Sequence, residues 1–515
     1  MFWADKIAES LAKTGKTQLI DDAKTPSGRI HVGALRGVII HDLIFKAFKQ
    51  ANVKSSYTYI FDDLDPMDSL PVYLSKERYE KFMGVPLKDI PAPEGDDSYA
   101  EYYANEFIKV FNKLGAKPEI LWNSKLYSEG KFDKQIEVAL ESAEKIQSIY
   151  EKISGSKRPR DFIPFQPICE KCGKIGTTSA KNWDGKTVEY ECLERKVDWA
   201  VGCGHKGKIS PFGGTGKMHF RVEWPAKWAA LGVSVEGEGK DHASKGGTRD
   251  TANTIAREIF NIEPPYDIPY EHFLLSGQKM SSSKGVGVSA IEVSKILPPE
   301  ILRFLMVRSR PMQHIDFNPQ EENTIPKLFE DFDNARGSSD LDLRRIYDLS
   351  LVDKEQKKYF ALRFGDLVNF VQMPNIDLEA ETEKKKGEKL NKEDKQALDE
   401  RINYVKIYLE RFAPEEIKFT VKKDLPSEVK ELSEGQRKLL LKIAEKLENP
   451  PAGGPETFQN EIYQAGKELG ISSSDTFKAI YLVLLGKESG PKAAWLILSL
   501  DKDFIKKRFR EANSS

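Results

Sequence analysis

Thr25-Pro26-Ser27-Gly28-Arg29-Ile30-His31-Val32-Gly33-Ala34 stands between a strand-like run, Gln18-Leu19-Ile20, and a segment from Gly33 through Leu43 with apolar residues at helical spacing. Pro26, Ser27 and Gly28 are turn residues, so the stretch reads as strand, turn, helix. That order sets His31 at a helix N-terminus, where unpaired backbone N–H groups and the helix dipole favour phosphate. Gly33, having no Cβ, lets the backbone approach a nucleotide closely. Far downstream, Lys279-Met280-Ser281-Ser282-Ser283-Lys284 follows the apolar Phe273-Leu274-Leu275 as a basic, serine-rich loop that can close over phosphates. Each stretch alone has a bland reading, a capped helix carrying an ordinary histidine or a solvated basic loop. Together, in this order and at this separation, they fit one nucleotide-binding domain.

Working outward, the second strand-like run is Tyr57-Thr58-Tyr59-Ile60-Phe61, and a helix is expected from about Tyr99 to Leu114. This βαβ rhythm implies a parallel sheet. A helix from about Lys131 to Ile153 leads into a cysteine-bearing segment, and α/β character returns at Val233-Ser234-Val235. The middle is therefore expected to be an insertion between two halves of a Rossmann-like domain. After Pro298-Pro299 the pattern becomes helical, as in Leu302-Leu305-Met306, and beyond Ile325 the one candidate strand is Phe419-Thr420-Val421. The charge run from Glu381 to Lys395 reads as a solvated linker or helix end. The expected divisions are 1–120 and 221–290 for the two halves of the sheet domain, 121–220 for the insertion, 291–325 for a connecting helical segment, and 326–515 for a helical domain.

At 515 residues and 39% hydrophobic, the chain can build several cores. Its 79 Lys and Arg against 80 Asp and Glu give a net charge of −1, which announces no global nucleic-acid field and leaves room for a local one. No apolar run reaches membrane-spanning length, and Met1-Phe2-Trp3-Ala4-Asp5 does not begin a secretory signal. Four cysteines, all in one short region, argue for a reducing, cytoplasmic setting and against a disulfide framework.

Those cysteines carry their own chemistry. Cys169-x-x-Cys172 is followed by Cys192, Cys203 and His205, soft ligands that suit tetrahedral zinc. Gly173 and Gly204 supply tight corners. The preferred set is the four cysteines, with His205 as the alternative ligand, and a closed, structural zinc is expected.

The two opening stretches resemble the HIGH and KMSKS motifs of class I aminoacyl-tRNA synthetases, and the details resemble the class I lysyl-tRNA synthetases through most of the chain. The match continues through Asp62-Asp63-Leu64-Asp65-Pro66, the cysteine cluster, Arg221-Val222-Glu223-Trp224-Pro225-Ala226-Lys227-Trp228, Gly239-Lys240-Asp241-His242 and Pro298-Pro299-Glu300. It ends with Gly486-Lys487-Glu488-Ser489-Gly490-Pro491, which looks like the anticodon-binding end of the glutamyl and class I lysyl enzymes. The fold implied is multidomain α/β plus all-α: a Rossmann-like parallel-sheet catalytic domain with a zinc-binding insertion, then a helical C-terminal anticodon-binding domain.

The resemblance implies ATP-dependent activation of L-lysine, with magnesium, and transfer to tRNA(Lys) by a monomer that needs no membrane. His31, Lys279 and Lys284 would be catalytic. ATP would be met by Pro26, Ser27, Gly28, His31, Gly33, Ala34, Gly239, Asp241, Lys279, Met280, Ser281, Ser282, Ser283 and Lys284, with Asp241 on the ribose hydroxyls. Thr25, Asp62, Asp63, Trp224, Trp228 and His242 would meet lysine, although His242 could instead cap the helix that follows it. Two positions depart from the wider class: Ala34 stands where Asn or His is usual, and Ser282 stands where the second motif carries Lys. The residues support lysine independently, because a cationic side chain needs carboxylates and aromatic walls, and Asp21-Asp22 stand at the end of the first strand and Asp62, Asp63 and Asp65 at the end of the second. A glutamyl enzyme would place an Arg near the first strand, and none precedes Arg29. The rival readings are another glutamyl-like synthetase and a nucleotidyltransferase that uses no tRNA.

Overall fold

The computed structural model describes residues 1–95, 97–277, 288–321, 323–352, 359–448 and 453–514. The chain forms two compact units, one of Met1–Asn318 with Phe332–Lys354, the other of Pro319–Asp331 with Glu355–Ser515.

The first unit is built on five strands: β1 (Gln18–Lys24), β2 (Ser55–Phe61), β3 (Glu119–Trp122), β4 (Val235–Gly239) and β5 (Tyr266–Tyr270). All pair in parallel, in the order β3-β2-β1-β4-β5. The chain winds outward on one side of β1 and then on the other, so the switch point lies between β1 and β4. Those two strands share a single register pair, Ile20 with Val235, and beyond it their carboxyl ends are free to part. Ligands bind at such a place in open parallel sheets. Helix α1 (Leu35–Gln50) is buried on nearly every side, as expected of a helix inside a large core rather than on its surface. Helix α2 (Tyr99–Lys113) starts at a capping box in which Ser98 and Glu101 satisfy each other's backbone N–H groups.

Between β3 and β4 lies the insertion. The single helix expected from Lys131 to Ile153 is two, Asp133–Glu141 and Ala143–Ser154, broken at Ser142, a poorer helix former than its neighbours. A three-stranded antiparallel sheet follows, Thr178–Lys181, Val188–Cys192 and Lys206–Ile209. The chain returns to the parallel sheet through α3 (Phe220–Leu231), then runs through β4, α4 (Thr248–Glu258) and β5.

The second unit is helical, and none of its described residues forms a strand. Phe419-Thr420-Val421 is not one: Phe419 N–H donates to the Gln372 side chain at 2.9 Å, and Lys422 N–H to Leu484 O at 2.9 Å, so the segment lies across helices with no strand beside it. The charge run is also more ordered than a linker. It forms the end of helix Leu378–Lys386, a Gly387 cap at φ 85° and the start of helix Lys392–Arg411, tied by Lys386–Asp394 at 2.7 Å and Lys389–Glu383 at 2.8 Å. No helix among the described residues is long and apolar enough to cross a membrane.

The expected boundary at residue 326 is not where the units divide, because Phe332–Lys354 returns to the first unit. Hydrophobic pattern alone could not show this, since a helix reads the same whichever core it joins.

Candidate active site and cysteine cluster

A cavity of about 340 Å³ opens at the switch point. Of the first motif, Thr25, His31, Gly33 and Ala34 line it; Pro26, Ser27 and Gly28 form the turn that positions them, with Ser27 O accepting the Tyr99 hydroxyl at 3.1 Å. His31 ends the turn in extended conformation, and Val32–Ala34 forms a short 3-10 segment leading into α1. Lys279, Met280, Ser281, Ser282, Ser283 and Lys284 lie outside the described residues, but both flanks of that segment are placed. Gly277 N–H is held by Asp316 at 3.0 Å. On the far side, Val32 N–H donates to Val288 O at 3.1 Å and Ala290 N–H to Ile30 O at 2.9 Å, pairing His31 with Ser289. The chain just beyond the second motif is thus laid against the first.

Of the residues expected to meet lysine, the structure brings Thr25, Asp62, Trp224 and His242 to the cavity. It does not bring Asp63 or Trp228. Asp63 turns to the other side of the chain, where Ser124 donates its N–H at 2.8 Å and its hydroxyl at 2.5 Å. Trp228 is fully buried, its ring under the Arg249 guanidinium at 4.7 Å and its indole N–H on Glu236. Trp224 forms the wall instead, one helical turn earlier, stacked on Phe220 with its edge toward His242. The backbone of His242 accepts Arg249 N–H at 3.0 Å at the start of α4, leaving the ring to face the cavity. Gly239 and Asp241 line it at the end of β4, with Asp241 3.2 Å from His272 Nε2.

The electrostatics run deeper than the motifs suggested. Asp62 pairs with the buried Lys227 of α3, which also lies 3.8 Å from Glu223. Glu223 in turn meets Lys217 at 2.9 Å, the Tyr127 hydroxyl at 2.6 Å and Asn123 at 3.2 Å. Burial pushes the Asp62 carboxyl up to about 6 against the pull of Lys227. The strand sequence Val235-Glu236-Gly237-Glu238-Gly239 carries no recognisable motif, yet both glutamates face the cavity. Glu236 accepts Trp224 Nε1 at 2.8 Å, and burial raises its carboxyl. Burial, then the hydrogen bond with Asp267, pushes Glu238 up to about 9. Their signal in the sequence was the period-two spacing of two charges on a strand otherwise too small and apolar to be a surface one.

In the insertion, the sulfurs of Cys169, Cys172, Cys192 and Cys203 all lie within 4.8 Å of one another, with Cys169–Cys203 and Cys172–Cys192 each at 3.7 Å. A tetrahedral ion with metal–sulfur bonds of about 2.3 Å needs sulfur edges of about 3.8 Å, so the set fits. Gly173 and Gly204 adopt the left-handed backbone at φ 71° and 72° that such corners require. Thr177 Oγ1 at 3.2 Å and Cys203 N–H at 3.3 Å contact the Cys192 sulfur. His205 is not in the cluster: its carbonyl accepts Cys192 N–H, and its ring packs edge-on to Tyr190.

Known proteins place this geometry. Residues 1–358 match the family model described as tRNA synthetases class I (K), and residues 391–513 match an anticodon binding domain. A lysine–tRNA ligase of Thermoplasma acidophilum is 36% identical over 99% of this chain and 98% of its own length. One of Thermoplasma volcanium is 37% identical over 99% of both chains, and one of Archaeoglobus fulgidus is 36% identical over 99% of this chain and all of its own. With the sheet order, the cavity at its switch point and a family match spanning both motifs, the chain belongs to the class I (K) tRNA synthetases.

Proposed function

We propose that the protein is a lysine–tRNA ligase: the carboxylate of L-lysine attacks the α-phosphorus of ATP, giving lysyl-adenylate and pyrophosphate, and the lysyl group then passes to the 3′ end of tRNA(Lys) with release of AMP. The observation that carries this reading is the switch-point cavity, which combines a phosphate-favouring helix start with carboxylates and an aromatic wall suited to a cationic amino acid. In this reading His31, Lys279 and Lys284 stabilise charge as the α-phosphorus becomes pentavalent. Gly33, Ala34, Gly239 and Asp241 receive ATP with its magnesium; Thr25, Asp62, Trp224 and His242 receive lysine. The helical unit binds the anticodon region of the tRNA. The decisive test is amino-acid-dependent exchange of pyrophosphate into ATP across the twenty amino acids. Lysine alone should support exchange. Exchange with another amino acid, or none with any, would overturn the reading.

Two further outcomes are expected. The cysteine cluster holds one structural zinc, so metal analysis should find close to one zinc per chain, and Cys172→Ser should lose the metal and open the insertion to proteolysis around 169–205. Well under one zinc in the intact protein would remove the metal. Next, Asp62 lines the cavity with its carboxyl at about 6. Protonation below that value removes a negative charge, so KM for lysine should rise several-fold as pH falls from about 7.5 to about 5.5. Asp62→Asn should flatten that profile.

A further inference from the structure

The cysteine cluster is tied to the cavity by two paths. Past the Cys169–Cys172 corner the chain runs back against the segment that follows β2, where Ile175 N–H and Gly176 N–H both donate to Gly84 O, at 2.8 and 3.1 Å. No side chain fits in that junction. A Cβ on Gly84 would lie 3.1 Å from the Ala200 Cβ and 3.3 Å from the Lys174 Cδ, at a φ of 91° that favours glycine, and one on Gly176 would lie 2.6 Å from the Trp199 ring. From Gly84 the bonding continues inward. Gly84 N–H donates to Met67 O and Met67 N–H to Val85 O, each at 2.9 Å; Leu87 N–H donates to Asp65 O at 2.9 Å and Lys88 N–H to Asp63 O at 3.0 Å. The turn that carries the cavity carboxylate Asp62 is therefore joined to 84–88, and 84–88 to the cluster.

The second path leaves the cluster on its other side. Ile168 N–H, next to Cys169, donates to Thr215 O at 2.8 Å, and Phe165–Pro167 pairs antiparallel with Gly216–Met218. That strand carries the buried Lys217, whose ammonium pairs with Oδ1 of Asp65. The two paths thus meet on one residue, the first holding the backbone of Asp65 and the second its side chain. The other carboxylate oxygen, Oδ2, accepts the Thr25 hydroxyl at 2.5 Å, and Thr25 lines the cavity.

Single backbone hydrogen bonds contribute little each. A four-sulfur crosslink changes that, because it holds Cys169 and Cys172 against Cys192 and Cys203 and so removes the chain freedom that would let the paths part. We propose that Asp65 is a positioning residue of the cavity, and that the cysteine cluster, fixing it through Gly84 and Lys217, sets where Thr25 and Asp62 stand. Zinc would serve there as a crosslink and take no part in the reaction. The ligase reading enters only through the substrate whose binding this positioning governs.

The test starts with hydrogen–deuterium exchange of the full-length protein, as isolated and after a chelator has taken its zinc. The amides of Gly84, Leu87 and Lys88 should exchange at least about 10-fold faster without metal, while those of the β1–β2 ladder keep their rates. Equal protection of the 84–88 amides in both forms would overturn the proposal. Should metal removal unfold the sheet as well, Gly84→Ala decides, a variant in which the zinc content should stay near one per chain. There lysine KM in pyrophosphate exchange should rise on the order of 10-fold, as for the loss of one hydrogen bond, with ATP KM within about twofold of the wild type. A purely structural fault would lower turnover with both KM values unchanged, and that result overturns the positioning role. Absence of lysine-dependent exchange in the wild type would overturn the ligase reading, and the hydrogen-exchange comparison would still decide whether the cluster fixes Asp65.

Discussion

Lys279→Ala and Lys284→Ala are each expected to lower lysine-dependent pyrophosphate exchange by about 10²–10³-fold, while KM for lysine stays within about twofold. Attack on the α-phosphorus gathers negative charge that neither the free amino acid nor ATP carries in that arrangement, so a cation placed there stabilises the transition state more than the ground state. The lysines lie outside the described residues, but the ends of their segment are fixed. The strand Phe273–Leu275, one residue short of Gly277, pairs with Ile315–Phe317, and Phe273 lines the cavity. Val288 and Ser289 pair with Val32 and His31. The chain that follows the second motif is thus held against the first. Ser282 replaces the lysine usual in this motif, so neither remaining cation has an immediate substitute and each single variant should be severe. Normal turnover in both variants would remove the loop from the mechanism.

What the sequence showed and what it hid follow from different physics. The parallel sheet was legible because its strands are short apolar runs separated by turn residues and helices at βαβ spacing, a pattern that local chemistry enforces. The choice between neighbours was not. Asp62 and Asp63 are adjacent where β2 ends in a turn closed by Asp63 N–H on Phe61 O at 3.0 Å; one reaches the cavity, the other fixes Ser124. Composition cannot say which. Trp224 and Trp228 share a helix face, and only the fold decides that the first is wall and the second core. The cysteine set was readable as a zinc motif, whereas excluding His205 required seeing its ring turned to Tyr190. In the helical unit the basic-aromatic runs Tyr404-Val405-Lys406-Ile407-Tyr408 and Lys506-Lys507-Arg508-Phe509-Arg510 invite a base-stacking surface, and burial decides against it in part. Tyr408 and Phe509 are buried, and Arg508 donates to the carbonyls of Lys422 and Val483.

Ending the chain after Lys354 should leave lysine-dependent exchange measurable and bring charging of tRNA(Lys) to background. The position of the cut matters. A cut at Pro319, where the chain first leaves the first unit, would remove helix Leu341–Ser350, which belongs to that unit. There Leu349 O accepts the buried Arg303 at 2.6 Å, Arg345 holds Asp5 through two contacts of 3.0 and 2.6 Å, and Phe332 packs on Phe304 and Tyr347. Losing them would unsettle the sheet domain itself, and a dead enzyme would then say nothing about RNA. The later cut keeps them and still removes the segment matching an anticodon binding domain, residues 391–513. It exposes Phe329, which stacks on Phe364 at 4.2 Å, so Phe329→Gln belongs in the truncated chain for solubility. In the ligase reading, activation uses the cavity of the first unit. Charging needs the tRNA held in register, and with Tyr408 and Phe509 buried, much of that hold must come from exposed cations such as Lys507 and Arg510 acting on phosphates. Binding of tRNA(Lys) to the full chain should therefore weaken steeply with salt, and the truncated chain should bind it more weakly with a shallower salt dependence. Charging by the truncated enzyme at the rate of the intact one would show that the helical unit does not hold the tRNA.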